Sequence, residues 1–248
     1  MFKKLNADSL KIIAILAMTI DHIADLLYPG MPNNIVSNFL HIIGRLTAPI
    51  MFFFICEGFY YTKNLKKYIA RLFFFAFISH FAYCFAFGIN YIPFVNGEIF
   101  NQTSIMFSLA FATVALYIVY GNNKLKQYQK VCLLLIICLI TLSADFSSIA
   151  VMAIVTMYPH RGNLKRQMIN MEFWLAVYGL VSFIFVNKTY GVLVLFSLLA
   201  APILKMYNGK KGNLKYMKWF FYIYYPAHLI VIGILRIAIY GNIPLLFN

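Results

Sequence analysis

Apolar residues run through this chain in long stretches that show neither the period-two alternation of a half-buried strand nor the single apolar stripe of a surface helix. Nine such stretches, at residues 10–28, 40–61, 69–89, 102–120, 131–144, 147–159, 173–187, 190–205 and 219–240, are separated by short polar segments rich in Lys, Asn and Gly. An α-helix needs about 20 apolar residues to cross a hydrocarbon core of roughly 30 Å. The pattern therefore predicts an all-α fold, a polytopic membrane protein with about nine transmembrane helices. The fifth to eighth stretches are short for such a core, and 131–159 reads either as two spans or as one broken span.

Composition agrees and removes other classes. Hydrophobic residues make up 62% of the 248 positions and charged residues only 11%, where soluble domains carry about 25% charged. The net charge of +14 does not indicate a nucleic-acid partner, because the cations form no continuous footprint and fall in short clusters between apolar runs. They alternate by side. Lys3, Lys4 and Lys11, then Lys63, Lys66, Lys67 and Arg71, then Lys124, Lys126 and Lys130, then Arg161, Lys165 and Arg166, then Lys205, Lys210, Lys211, Lys215 and Lys218 fall on one side, and only Lys188 falls on the other. Short cytoplasmic loops retain Lys and Arg, so the N-terminus is placed in the cytoplasm and the C-terminus outside. The first stretch resembles a signal peptide in its flanking lysines but contains Asp21-His22 and no small-residue cleavage site, so it reads as a retained helix. Cys56, Cys84, Cys132 and Cys138 lie in apolar runs without C-x-x-C spacing and read as reduced packing residues, with no metal site. No repeat or low-complexity linker divides residues 1–248.

Ionisable residues inside these stretches carry the chemistry. A charge near the bilayer centre costs about 3 kcal/mol on insertion scales, so such residues face protein, a water-filled cavity or a substrate path. The first stretch holds Asp21, His22 and Asp25. Lys11, Met18, His22 and Asp25 share one helical stripe, and the eleven residues from Lys11 to His22 rise roughly 16 Å, about mid-membrane. His80 and His228 come out at similar depth when measured from Arg71 and Lys218. Arg45 and Arg236 lie nearer the outer face, and Glu57 lies close to the cytoplasmic end of its helix. His41, at an interface, reads as a packing residue. Tyr224-Tyr225-Pro226-Ala227-His228 places a helix-interrupting proline beside an imidazole.

The segments LKIIAILAMTIDHI, GRLTAPIMFFFICEGFYYTKNLKKYIARL and FFYIYYPAHL resemble the TraX family of bacterial membrane proteins. That resemblance implies acetylation of pilin N-termini and kinship with the wider transmembrane acyltransferases, whose first helix carries an Arg, ten residues, then His. Here Lys11 and His22 keep that spacing with Lys in place of Arg. His41 stands where the pattern has Arg and His80 where it has Gln, so neither inherits a role.

On this resemblance residues 1–248 form one transmembrane acyltransferase-like domain in the bacterial inner membrane. The implied reaction moves an acyl group, most simply acetyl, from cytoplasmic acetyl-CoA, with no metal, to an acceptor amine or hydroxyl at the outer face. The acceptor is a peptide N-terminus, a saccharide or another small molecule. His22 acts as general base or takes the acyl group itself, with Asp21 or Asp25 fixing its tautomer. Arg45 holds the acceptor or a developing oxyanion. Lys11, Glu57, Lys63, Lys66, Lys67 and Arg71 form a donor-binding group, the cations serving the phosphates, although the same cluster is also what topology alone produces. By their depth in the apolar helices and not by the resemblance, His80, Tyr225, His228 and Arg236 are read as substrate-binding or supporting residues. The competing class is a proton-coupled transporter of a small anionic solute, with His22, Asp25, His80 and His228 as the relay.

Overall fold

The structure, a computed structural model, describes residues 4–93 and 101–245; Lys3, counted above among the cytoplasmic cations, lies outside them. The described residues form helices α1 (Ala7–Leu27), α2 (Ile35–Gly44), α3 (Thr47–Tyr61), α4 (Leu65–Phe87), α5 (Ile105–Tyr120), α6 (Gln127–Ile140), α7 (Ser147–Met157), α8 (Leu164–Phe185), α9 (Lys188–Val194), α10 (Ala200–Lys205) and α11 (Met217–Tyr240). Each apolar stretch is occupied by helix. Among the described residues five runs are long and apolar enough to cross a membrane: Ile35–Tyr61, Leu65–Phe87, Leu164–Phe185, Lys188–Lys205 and Met217–Tyr240. Helix α1 has 21 residues, but Asp8, Lys11, Asp21 and Asp25 lower its hydropathy.

Local chemistry sets the ends. Helix α1 begins at Ala7 because Asn6 Oδ1 accepts the Ser9 N–H at 2.9 Å, and α2 begins at Ile35 because Asn34 accepts the Ser37 N–H at 2.7 Å. Such caps satisfy donors that have no partner within the helix. The segment 131–159 is two helices. Between α6 and α7, Phe146 and Ser147 take φ values of 58° and 50°, and the Ser147 N–H donates to Ala144 O at 2.7 Å. A left-handed pair of this kind turns the chain.

Two compact units divide the chain, one comprising 1–51, 85–88 and 175–248 and the other 52–84 and 89–174. In the first, α1 packs against α2 and α11, and α2 against α9; Leu10, Ala14, Ala17 and Ala24 of α1 and Leu229 of α11 are its buried apolar contacts. In the second, α5 packs on α6 and α7. Ala110, Ala112 and Ala115 of α5 and Ala150 and Ala153 of α7 are fully buried. Small side chains let membrane helices approach closely and gain dispersion contacts.

Candidate functional site

The first unit brings two imidazoles together across 206 residues of sequence. On α11, His228 Nδ1 lies 2.9 Å from the carbonyl oxygen of Tyr224, one turn back. A carbonyl only accepts, so that nitrogen carries the proton. In the neutral ring Nε2 is then bare, and it lies 2.8 Å from His22 Nδ1 on α1, which therefore donates. The proton of His22 is consequently on Nδ1 and its lone pair on Nε2, where among the described residues no hydrogen bond forms. The two rings are within 4° of parallel with centroids 5.0 Å apart, as an edge-to-edge hydrogen bond requires. Phe87 stands edge-on to His22 at 5.5 Å, and Tyr225 edge-on to His228 at 5.6 Å. Tyr224 lies nearly parallel to His228 at 5.3 Å and its hydroxyl meets Thr19 Oγ1 at 2.8 Å. Since Thr19 donates to Ile15 O, Tyr224 is the donor in that pair. The structure thus replaces the expected carboxylate partner of His22 with an imidazole.

Asp21 has a different task. Its oxygens accept from Arg45 Nη2 at 2.7 and 2.9 Å and from His41 Nδ1–H at 2.8 Å. Arg45 also reaches its own helix through Nε to His41 O at 3.3 Å, and its guanidinium lies 5.2 Å from the Tyr190 ring centre. Among the described residues Arg45 Nη1 makes no hydrogen bond. Gly44 is needed here, because a Cβ at that position would fall on the Asp21 carboxylate. The Gly-Arg pair therefore serves one purpose: the glycine admits the carboxylate and the arginine neutralises it. Asp25, buried on α1, is not the group that orients His22, since Nδ1 is already bonded to His228. The expectation for Asp21 and Asp25 is corrected accordingly. Helical spacing places a residue beside its i±3 and i±4 neighbours but does not say which helix will supply a partner.

Arg236 holds backbone. It donates to Ile243 O at 3.0 Å, Phe85 O at 3.2 Å and Gly241 O at 3.5 Å, tying the end of α4 and the C-terminal turn to α11. This makes it a support. Lys11, half-buried on α1, lies in the same unit.

The remaining expected residues belong to the second unit. Glu57, buried, accepts from Arg161 Nε at 2.8 Å and Nη2 at 3.4 Å, and that guanidinium lies 3.4 Å above the Tyr60 ring and 4.8 Å from Tyr61. Burial opposes the charge of Arg161, but the Glu57 carboxylate outweighs it and holds the guanidinium above its ordinary range. Glu57 is thus the acceptor of an ion pair. Lys63, Lys66 and Lys67 are exposed, and Arg71 lies 5.5 Å from the Tyr68 ring centre. His80 donates from Nε2 to Tyr91 O at 2.7 Å and accepts at Nδ1 from Thr103 at 2.9 Å. A carbonyl on one nitrogen and a hydroxyl on the other leave that ring no reactive position. Among the described residues no group of three or more His, Cys, Asp or Glu is placed to hold a metal.

Sequence reasoning takes His41 for a packing residue and Arg161 for one of the loop cations, names Tyr224 only as part of the proline segment, and does not single out Thr19. His41 and Arg45 stand i, i+4 on α2 and Tyr224 and His228 i, i+4 on α11, so both pairs carried a spacing signal. Arg161 and Glu57, 104 residues apart, carried none.

Compared with known proteins, residues 6–236 match the family described as TraX protein. The chain is 31% identical over 236 residues to "Probable fimbrial assembly protein FimC, serogroup H1" of Dichelobacter nodosus, an alignment covering 90% of this chain and 93% of that protein. No solved structure matches.

Proposed function

The chain belongs to the TraX family and is a multi-pass membrane protein, and from that premise we propose that it is a membrane-embedded acyltransferase with His22 as its base or nucleophile. The observation that carries this reading is the tautomer of His22. The Tyr224 carbonyl orients His228, His228 orients His22, and an unprotonated Nε2 results. An imidazole polarised in this way is the arrangement general bases and histidine nucleophiles require.

In this mechanism acyl-CoA enters from the cytoplasm, most simply as acetyl-CoA. His22 Nε2 takes the proton of the acceptor amine or hydroxyl as its nitrogen or oxygen attacks the thioester carbonyl. The C–S bond breaks, the new C–N or C–O bond forms, and the proton passes to the departing thiolate. In the nucleophilic variant Nε2 attacks the thioester carbonyl and the C–S bond breaks with departure of the thiolate. The acceptor then attacks the acyl-imidazolium, the Nε2–acyl bond breaks to restore His22, and the acceptor's proton passes to the thiolate. Asp21 precedes His22 in sequence and pairs with Arg45 in the same unit; in this reading its carboxylate stabilises the imidazolium that forms, and Nη1 of Arg45 is available to the carbonyl oxygen as charge develops there. The relative's name, a fimbrial assembly protein, favours the N-terminus of a pilus subunit as acceptor over a saccharide.

The same reading has nine spans, a cytoplasmic N-terminus, an outside C-terminus and the bacterial inner membrane as location. A cysteine placed at residue 123 is then labelled from the cytoplasm and one at residue 90 from outside; labelling of both from one side removes this topology. Detergent-solubilised protein given labelled acetyl-CoA tests the chemistry directly. Thioester hydrolysis or exchange is expected, and rapid quench without acceptor traps an acyl-histidine only if His22 is the nucleophile. Solute flux in sealed vesicles without thioester chemistry overturns the reading in favour of transport.

A further inference from the structure

The first unit carries a cationic loop of its own, residues 205–218, with Lys205, Lys210, Lys211, Lys215 and Lys218, and no Asp or Glu occurs anywhere after Glu172. The loop is held in shape. The Leu5 N–H donates to Met206 O at 3.0 Å, the Asn208 N–H to Leu5 O at 2.9 Å and the Ala7 N–H to Lys210 O at 2.9 Å. Asp8 Oδ2 accepts the Leu214 N–H at 2.9 Å. Gly209 and Gly212 sit at φ values of 76° and 89°, and a Cβ at Gly212 would fall on the Asp8 carboxylate. Asp8, the acid at this loop, is buried and serves its backbone. Lys205, Lys210 and Lys211 are exposed and pair with no acid among the described residues. Like charges held together on an ordered loop repel one another, and an anion bridging them relieves that repulsion.

Two anions fit such a loop, the phosphate of a lipid headgroup and the phosphates of a soluble nucleotide, and position separates them. Lys215 and Lys218 lie over the Tyr216 and Trp219 rings, at 5.4 and 4.8 Å, the mixture that membrane interfaces favour. Lys210 and Lys211 instead occupy the glycine turns beside the N-terminus of α1. Lys211 lies close enough to Lys11 for the two charges to repel, and from Lys11 to His22 α1 rises roughly 16 Å. A pantetheine arm, with two amides, has the length of about four extended residues, roughly 14 Å.

We propose that loop 205–218 holds the nucleotide phosphates of the acyl-CoA donor, with Lys210 and Lys211 as the main contacts and the pantetheine running along α1 to His22. This rests on the acyl-CoA reading above. It places the donor in the body that carries the reactive histidine.

The test is calorimetric titration of coenzyme A into the purified full-length chain, with turnover of acetyl-CoA and of S-acetylpantetheine measured in parallel. Lys210→Gln/Lys211→Gln is expected to raise the Kd for coenzyme A at least tenfold and the KM for acetyl-CoA in proportion. It should leave kcat, and turnover of S-acetylpantetheine, within twofold. Lys188→Gln, on the opposite side, leaves all of these unchanged. An unaltered Kd in the double variant overturns the proposal, as does the same loss appearing in Lys66→Gln/Lys67→Gln instead. Turnover with intact affinity in Lys210→Gln/Lys211→Gln removes the loop but not the acyltransferase. Failure of the wild-type chain both to bind coenzyme A and to turn over acetyl-CoA removes both.

Discussion

The two units hold the histidines of their apolar helices in different ways. In the second unit Glu57 and Arg161 close on each other under two tyrosine rings, and both nitrogens of His80 are bonded to Tyr91 and Thr103. In the first unit His22 has one nitrogen fixed by His228 and the other without a hydrogen bond among the described residues, and Arg45 keeps one nitrogen beyond its contacts with Asp21 and His41. All of these residues lie at or near apolar helices, so depth alone does not separate a reactive group from a structural one. For the two imidazoles the difference lies in the ring nitrogens: both nitrogens of His80 are committed, whereas His22 is held through Nδ1 and makes no hydrogen bond at Nε2 among the described residues.

The strongest way to break this comparison is His22→Ala. It should lower kcat by roughly 10² or more, the scale of a positioned acid–base group, with coenzyme A affinity and thermal unfolding in detergent nearly unchanged. Wild-type turnover in a folded variant would end the contrast. Next comes His228→Asn, which removes the acceptor for His22 Nδ1–H and lets the tautomer vary. A fall in kcat of about tenfold is expected in the wild-type background, with little further loss once His22 is absent, since groups acting as a unit are not additive. An additive loss would make His228 an independent participant.

The second unit should respond in stability instead of rate. Arg161→Ala leaves the buried Glu57 carboxylate without its partner. Unfolding in detergent should show a loss of about 1–3 kcal/mol, with kcat per folded molecule within twofold. A rate effect larger than the stability effect would move Glu57 and Arg161 into the site. The smallest effect is expected for His80→Gln, whose amide can still donate to one neighbour and accept from another. Turnover and melting temperature should both stay close to wild type, and a large loss of kcat would show that His80 has a reactive position after all.

Much of this was legible in the linear chain. Apolar runs long enough for helices, the lysine-rich segments between them, and Asp21-His22 within the first helix follow from local composition and from the energy of placing charge in hydrocarbon. The Asn6 and Asn34 caps and the i, i+4 pairs His41–Arg45 and Tyr224–His228 are local too, but the sequence alone does not single them out. What remained open depended on which faces meet. Two carboxylates were candidates to orient His22. Only the packing of α1 against α2 and α11 decided that Asp21 faces Arg45 and His41 while His22 faces His228. The same holds for Glu57 and Arg161, separated by 104 residues. A helical repeat constrains neighbours within about one turn. Contacts between helices are selected by the shape and polarity of whole faces, and these exist only once the helices have packed.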